Sequence, residues 1–154
     1  MSNWIAERAA EVRKAEKERS DEFDRKTQAA AVLKTQLGPF WKELVEVLNQ
    51  SVKDFNTEFP EVNRRIDSLE RPDPETLTIR RNAYPAVLVK AQLNGPGTTV
   101  RYSISVTPRK GTNAVEQQAS FSYTVIDGQV GYAEPTLRSH EDVAKLFFKE
   151  FFEF

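Results

Sequence analysis

The sequence predicts an α+β fold. A long N-terminal helix and a second helix precede an antiparallel meander sheet of four or five strands, and an aromatic C-terminal helix packs with the second helix on one sheet face. Two observations carry this reading. Charge is concentrated at the front, with 31 charged side chains in residues 1–81, only 8 in residues 82–140 and 6 in the last fourteen. Glycine and proline are absent before Gly38, whereas five of the six glycines lie between Gly95 and Gly131. Charged sequence without breakers suits helix, and glycine-punctuated sequence suits strands joined by turns. At 154 residues the chain has the length of one domain. Residues 1–37 read as a coiled-coil-forming arm and residues 38–154 as the α+β domain.

The first helix is expected over Ser2–Leu37, capped by Ser2 or Asn3. Ile5, Ala9, Val12, Glu16, Arg19, Phe23, Lys26, Ala30, Leu33 and Leu37 recur at alternating spacings of four and three. That is a heptad seam, apolar at seven of ten positions and charged in its middle. Ser20-Asp21 offers a place for a break, since both residues favour caps over helix interiors. Gly38-Pro39 is expected to end this helix and open the next, because glycine stops a helix and proline fits a first turn. The second helix then runs to about Phe59, with Trp41, Leu44, Val45, Leu48, Val52, Phe55 and Phe59 on one stripe.

The strands show period-two alternation. Val87, Val89, Ala91 and Leu93 share one face, as do Val100, Tyr102, Ile104 and Val106, and then Ala119, Phe121, Tyr123 and Val125. Thr76–Arg81 and Gln129–Ala133 offer two shorter strands, and Val62–Leu69 is left open between strand and turn. Asn94-Gly95-Pro96-Gly97 and Asp127-Gly128 supply hairpin turns. Ser139 caps the last helix, where Val143, Ala144, Phe147, Phe148, Phe151, Phe152 and Phe154 fill one apolar arc.

Composition excludes several classes of function. With 22 Lys+Arg against 23 Asp+Glu there is no global basic field for nucleic acid, and zero cysteines exclude disulfides and thiolate chemistry. One histidine excludes a multi-histidine metal site. No cofactor, metal ligand or catalytic residue is nominated. No apolar run approaches the roughly 18 residues of a membrane span, and no secretory signal is visible, so a cytoplasmic protein without a membrane partner is expected.

Individual motifs are weak. Gly95-Pro96-Gly97-Thr98-Thr99 leads into a strand rather than a helix N-terminus, so it reads as a hairpin and not as a phosphate loop. His140 follows a helix cap and is expected on the surface. The polar sheet face (Lys90, Gln92, Arg101, Ser103, Ser105, Thr107, Ser120, Ser122 and Thr124) reads as the wet side of the sheet. Arg64, Arg65, Arg71, Arg80 and Arg81 are interleaved with Glu58, Glu61, Asp67, Glu70, Asp73 and Glu75, which reads as a mutually paired surface.

Three functions are ranked. The first is a non-enzymatic protein–protein interaction module that assembles through the N-terminal helix, as a homodimer or with a partner helix, using Trp4, Ile5, Val12, Arg19 and Phe23. A helix from Ser2 to Leu37 is about 54 Å long, too long for a globule with a radius of gyration of about 13–14 Å to cover. The second is a small-molecule site or enzyme pocket between sheet and helices, with Tyr84, Tyr102, Tyr123 and Tyr132 as polar handles. The third is nucleic-acid binding by Arg64, Arg65, Arg80, Arg81, Arg109 and Lys110.

Overall fold

The computed structural model describes residues 3–94 and 97–154. The Ser2 cap and the Gly95-Pro96 centre of the first hairpin lie outside these described residues. The fold is α+β, with a long N-terminal helix, a curled antiparallel sheet and a short C-terminal helix. Helix α1 runs without interruption over Trp4–Glu58, a total of 55 residues. Six strands follow: β1 (Ser68–Glu70), β2 (Thr76–Arg81), β3 (Ala86–Leu93), β4 (Thr99–Thr107), β5 (Val115–Ile126) and β6 (Gln129–Tyr132). Helix α2 spans His140–Phe148 and tightens into a 3₁₀ turn at Lys149–Phe152. Strand order equals chain order and every pairing is antiparallel, so the sheet is a meander.

Three expectations are corrected. The sheet has six strands rather than four or five, because the three-residue β1, too short to show alternation, pairs Leu69 with Ile79. The second correction is at Gly38-Pro39, which lies inside α1 instead of dividing two helices. Pro39 has no N–H to give to the Thr35 carbonyl, and a proline ring normally also drives the preceding residue out of the helical region by striking its Cβ. Gly38 has no Cβ, so that second penalty is reduced. Leu37 and Phe40 pack partly against the core on either side, and Trp41 is buried in it, which holds the helix together across the gap. Ser20-Asp21 likewise does not break the helix.

The third correction is at the C-terminus. The 3₁₀ turn begins at Lys149, so the apolar arc expected through Phe154 ends at Phe151, which is buried, while Phe152 and Phe154 are more than half exposed. An α-helix would have kept Phe152, four residues on, in register with Phe148; the tighter turn rotates it out, and Phe154 lies past the turn, after the extended Glu153.

Only the second half of α1 has a core to face. Trp41, Leu44, Val45, Leu48, Val52 and Phe55 are buried against one face of the sheet, beside Val143, Ala144, Phe147 and Phe148 of α2. Trp41 Nε1 donates to the Pro74 carbonyl at 2.9 Å. The Asn56 side chain clamps Ile66, accepting from its N–H at 2.7 Å and donating to its carbonyl at 3.0 Å. The Asp127-Gly128 hairpin has positive φ at both residues, 51° and 76°, which is the geometry of a two-residue turn matched to strand twist.

Arg81 is fully buried. Its guanidinium donates four hydrogen bonds to carbonyls: Nε to Pro85 at 3.1 Å, Nη1 to Phe151 at 2.8 Å and Arg64 at 3.2 Å, and Nη2 to Glu153 at 3.0 Å. It also lies 5.7 Å from the Phe151 ring centroid and 5.5 Å from that of Phe154. Burial lowers its pKa while the Asp67 carboxylate opposes the shift. No ion pair found among the described residues includes it. The cation is held by backbone dipoles, and it ties the C-terminal turn to β2 and to the segment before β1.

Two outcomes follow from these contacts. Arg81→Met keeps the apolar stem but orphans four carbonyls, and should lower stability by roughly 3 kcal/mol or more, read from the urea midpoint. Pro39→Ala restores a donor for the Thr35 carbonyl at an exposed position, and should raise stability by about 1 kcal/mol in the same measurement.

Candidate functional site

The candidate site is the face of α1 that the body leaves bare. Val32 and Leu33 are the first α1 residues that pack against the core. Ahead of them, Trp4–Ala31 extends about 42 Å at 1.5 Å per residue. Along this stretch Trp4 is 63% exposed, Ile5 66%, Val12 42% and Phe23 69%. Isolated exposed apolar residues are ordinary; here three large ones, Ile5, Val12 and Phe23, recur at seam positions, and Trp4 stands one position before the first of them. Arg19 lies on the same seam and is exposed. Its Nε reaches only the Ala15 carbonyl, at 3.4 Å. The seam does not stop at Ala31: Leu33, Leu37 and Phe40 continue it, and there the body covers it. One apolar stripe is therefore covered at one end and uncovered at the other.

Intrahelical ion pairs hold this arm weakly. Arg8 meets Glu11 at 3.1 Å and Lys26 meets Glu22 at 3.3 Å. Exposed pairs of this kind contribute about 0.3–0.5 kcal/mol each.

The four tyrosines do not converge on one site. Tyr102, Tyr123 and Tyr132 join a ring cluster with Phe40, Phe121 and Phe147, at centroid separations such as 5.1 Å for Phe40–Tyr123 and 5.1 Å for Tyr102–Phe147. These rings fill the space between sheet and helices where a pocket was expected. Tyr84 stands apart in the β2–β3 connection, half exposed, before a cis bond to Pro85.

Of the basic residues, Arg64, Arg65, Arg80, Arg109 and Lys110 are exposed. Arg81 is not, and its donors are engaged by carbonyls, so it offers nothing to a phosphate. Register places Thr107 opposite Ala86 and Arg81 opposite Val87, which puts the Arg109-Lys110 loop at the Arg80 end of the sheet. The expected mutual pairing of arginines with the interleaved acids is absent among the described residues. The acids serve the backbone instead: Asp73 accepts from the Glu75 N–H and the Thr76 hydroxyl, and Asp67 from the Asn82 N–H. Arg71 donates to the Pro74 carbonyl. On the polar sheet face, Lys90, Gln92, Arg101, Ser103, Gln118 and Ser120 line a shallow open depression.

His140 departs from its expected surface position. Its ring lies 4.4 Å from that of Phe40, with Nδ1 2.6 Å from the Tyr132 hydroxyl and Nε2 3.4 Å from Glu43 Oε2. A carboxylate only accepts, so the proton belongs on Nε2, and Tyr132 then donates to Nδ1. This chain crosslinks α1, β6 and α2. The neighbouring Tyr123 hydroxyl is buried and close enough to feel the Tyr132 phenol, yet it makes no hydrogen bond of acceptable geometry. Burial pushes both phenols well above their usual range. Tyr132 is itself buried, so the chain acts as a strut. Sequence reading missed it because nothing near His140 in the chain hints at Glu43, 97 residues away.

Among the described residues no three His, Asp or Glu side chains come together to hold a metal ion, and no helix is long and apolar enough to cross a membrane. Comparison with protein-family models, curated proteins and solved structures returns no match.

The His140 environment sets a pH response. Burial lowers its pKa below 6.5, against the opposing pull of Glu43. The unfolded chain therefore takes up the proton first, and stability present above about pH 6.5 is lost as pH falls toward the folded-state value. Urea midpoints should drop between pH 7 and pH 5.5 in the native chain. In His140→Gln the midpoint should be nearly flat over that interval.

Proposed function

We propose that this protein is a non-enzymatic interaction module that assembles through its projecting N-terminal helix, with a helix of a second copy as the partner. The observation that carries the reading is the exposed seam of Ile5, Val12 and Phe23, with the exposed Trp4 beside it, on a stretch about 42 Å long that the body does not reach. Its continuity with the covered residues Leu33 and Leu37 supports the same conclusion, since one stripe of a helix ordinarily faces one kind of surroundings. Another helix with the same heptad spacing is the natural cover, because knobs from each seam fit holes in the other. Arg19 and its charged seam neighbours set orientation at a cost in affinity.

Light scattering tests this directly. The intact chain should give twice its 17.6 kDa single-chain mass at high concentration. The full-length Phe23→Glu variant and a chain lacking residues 1–26 should both stay at single-chain mass. An intact chain that remains a monomer across the accessible concentration range ends the homodimer reading.

A further inference from the structure

We infer that the two arms pair antiparallel, in the one register that sets Glu16 of each copy against Arg19 of the other; this inference rests on the assembly proposed above. The alternating four–three spacing of the seam reads the same in both directions. Reversing one helix therefore lays seam position on seam position again. With Glu16 opposite Arg19, Val12 falls opposite Phe23, Ala9 opposite Lys26 and Ile5 opposite Ala30. The layers then pair acid with base, small aliphatic with large aromatic, and small alanine with long lysine, whose amine is already held by Glu22 at 3.3 Å. A parallel, in-register pair instead stacks Glu16 on Glu16, Arg19 on Arg19 and Lys26 on Lys26, three layers of like charge.

A second observation, independent of charge, selects the same register. The bare stretch begins at Trp4 and ends at Ala31, just before Val32 meets the body. In the register set by Glu16 and Arg19, Trp4 of one copy lies opposite Ala31 of the other. The overlap therefore ends where the body begins. Every seam residue from Ile5 to Ala30 then has a seam residue opposite it. The product is a rod with one body at each end, about 42 Å apart along the arm. Such an assembly holds two identical α+β bodies at a set spacing rather than side by side.

Charge exchange on the full chain separates the alternatives. Glu16→Arg and Arg19→Glu each place two like-charge layers in the antiparallel rod, and each should weaken the dimer by roughly tenfold or more in sedimentation. An equimolar mixture of the two variants should recover native affinity as a heterodimer, and so should the double variant. Both positions are exposed on the arm, so unfolding of the body should be unchanged. The absence of native cysteine permits a second readout: Ile5→Cys mixed with Ala30→Cys should form the heterodisulfide in preference to either homodisulfide. A native dimer that tolerates both single charge changes, or that crosslinks Ile5→Cys to itself, overturns the antiparallel register while leaving self-assembly standing. A native chain that is monomeric throughout overturns both.

Discussion

The apolar stripe from Trp41 to Phe55 anchors α1 to the sheet, and the rest of the molecule is arranged around that anchorage. Six side chains on it are buried, and each contributes roughly 1.5–3 kcal/mol relative to exposure. A proline inside a helix costs about 3 kcal/mol, and the ion pairs on the arm return only tenths of that apiece. The stripe therefore outweighs the break at Pro39 several times over. Because the helix is continuous, the orientation that the core imposes on Trp41 is carried to Trp4. The arm is aimed by the body.

Polar groups inside the body work chiefly on the backbone. Arg81 would be an expensive cation if it stood alone, but four carbonyls from three segments surround it. Asp67 and Asp73 hold turns, and the Asn56 amide holds Ile66 from both sides. The Glu43–His140–Tyr132 chain binds α1, β6 and α2 together beside Phe40. These contacts explain why Arg81, His140 and Tyr132, which look like binding chemistry in the sequence, are engaged in structure.

The arm itself balances weak terms. An isolated helix must first overcome a costly nucleation step. Continuity with the anchored half removes that obstacle, because the arm only propagates a helix that already exists. Its seam is apolar at the ends and charged at Glu16 and Arg19 in the centre.

Periodicity made much of this legible in one dimension. The heptad seam, the buried stripe of α1, three of the longer strands, the Asp127-Gly128 turn and the Ser139 cap all depend on neighbours a few residues apart, and local sterics and hydrogen bonding determine them. The exposed seam residues Ile5, Val12, Arg19 and Phe23 were visible for the same reason. Tertiary structure decided what depends on distant partners. It carried the helix through Gly38-Pro39, because burial on both sides outweighed one missing hydrogen bond. It withdrew Arg81 from the basic surface, because carbonyls far apart in the chain converge there, and it drew His140 inward onto Phe40, Tyr132 and Glu43. Spacing along the chain specifies which face of an element is apolar; only the fold specifies how much of that face finds cover.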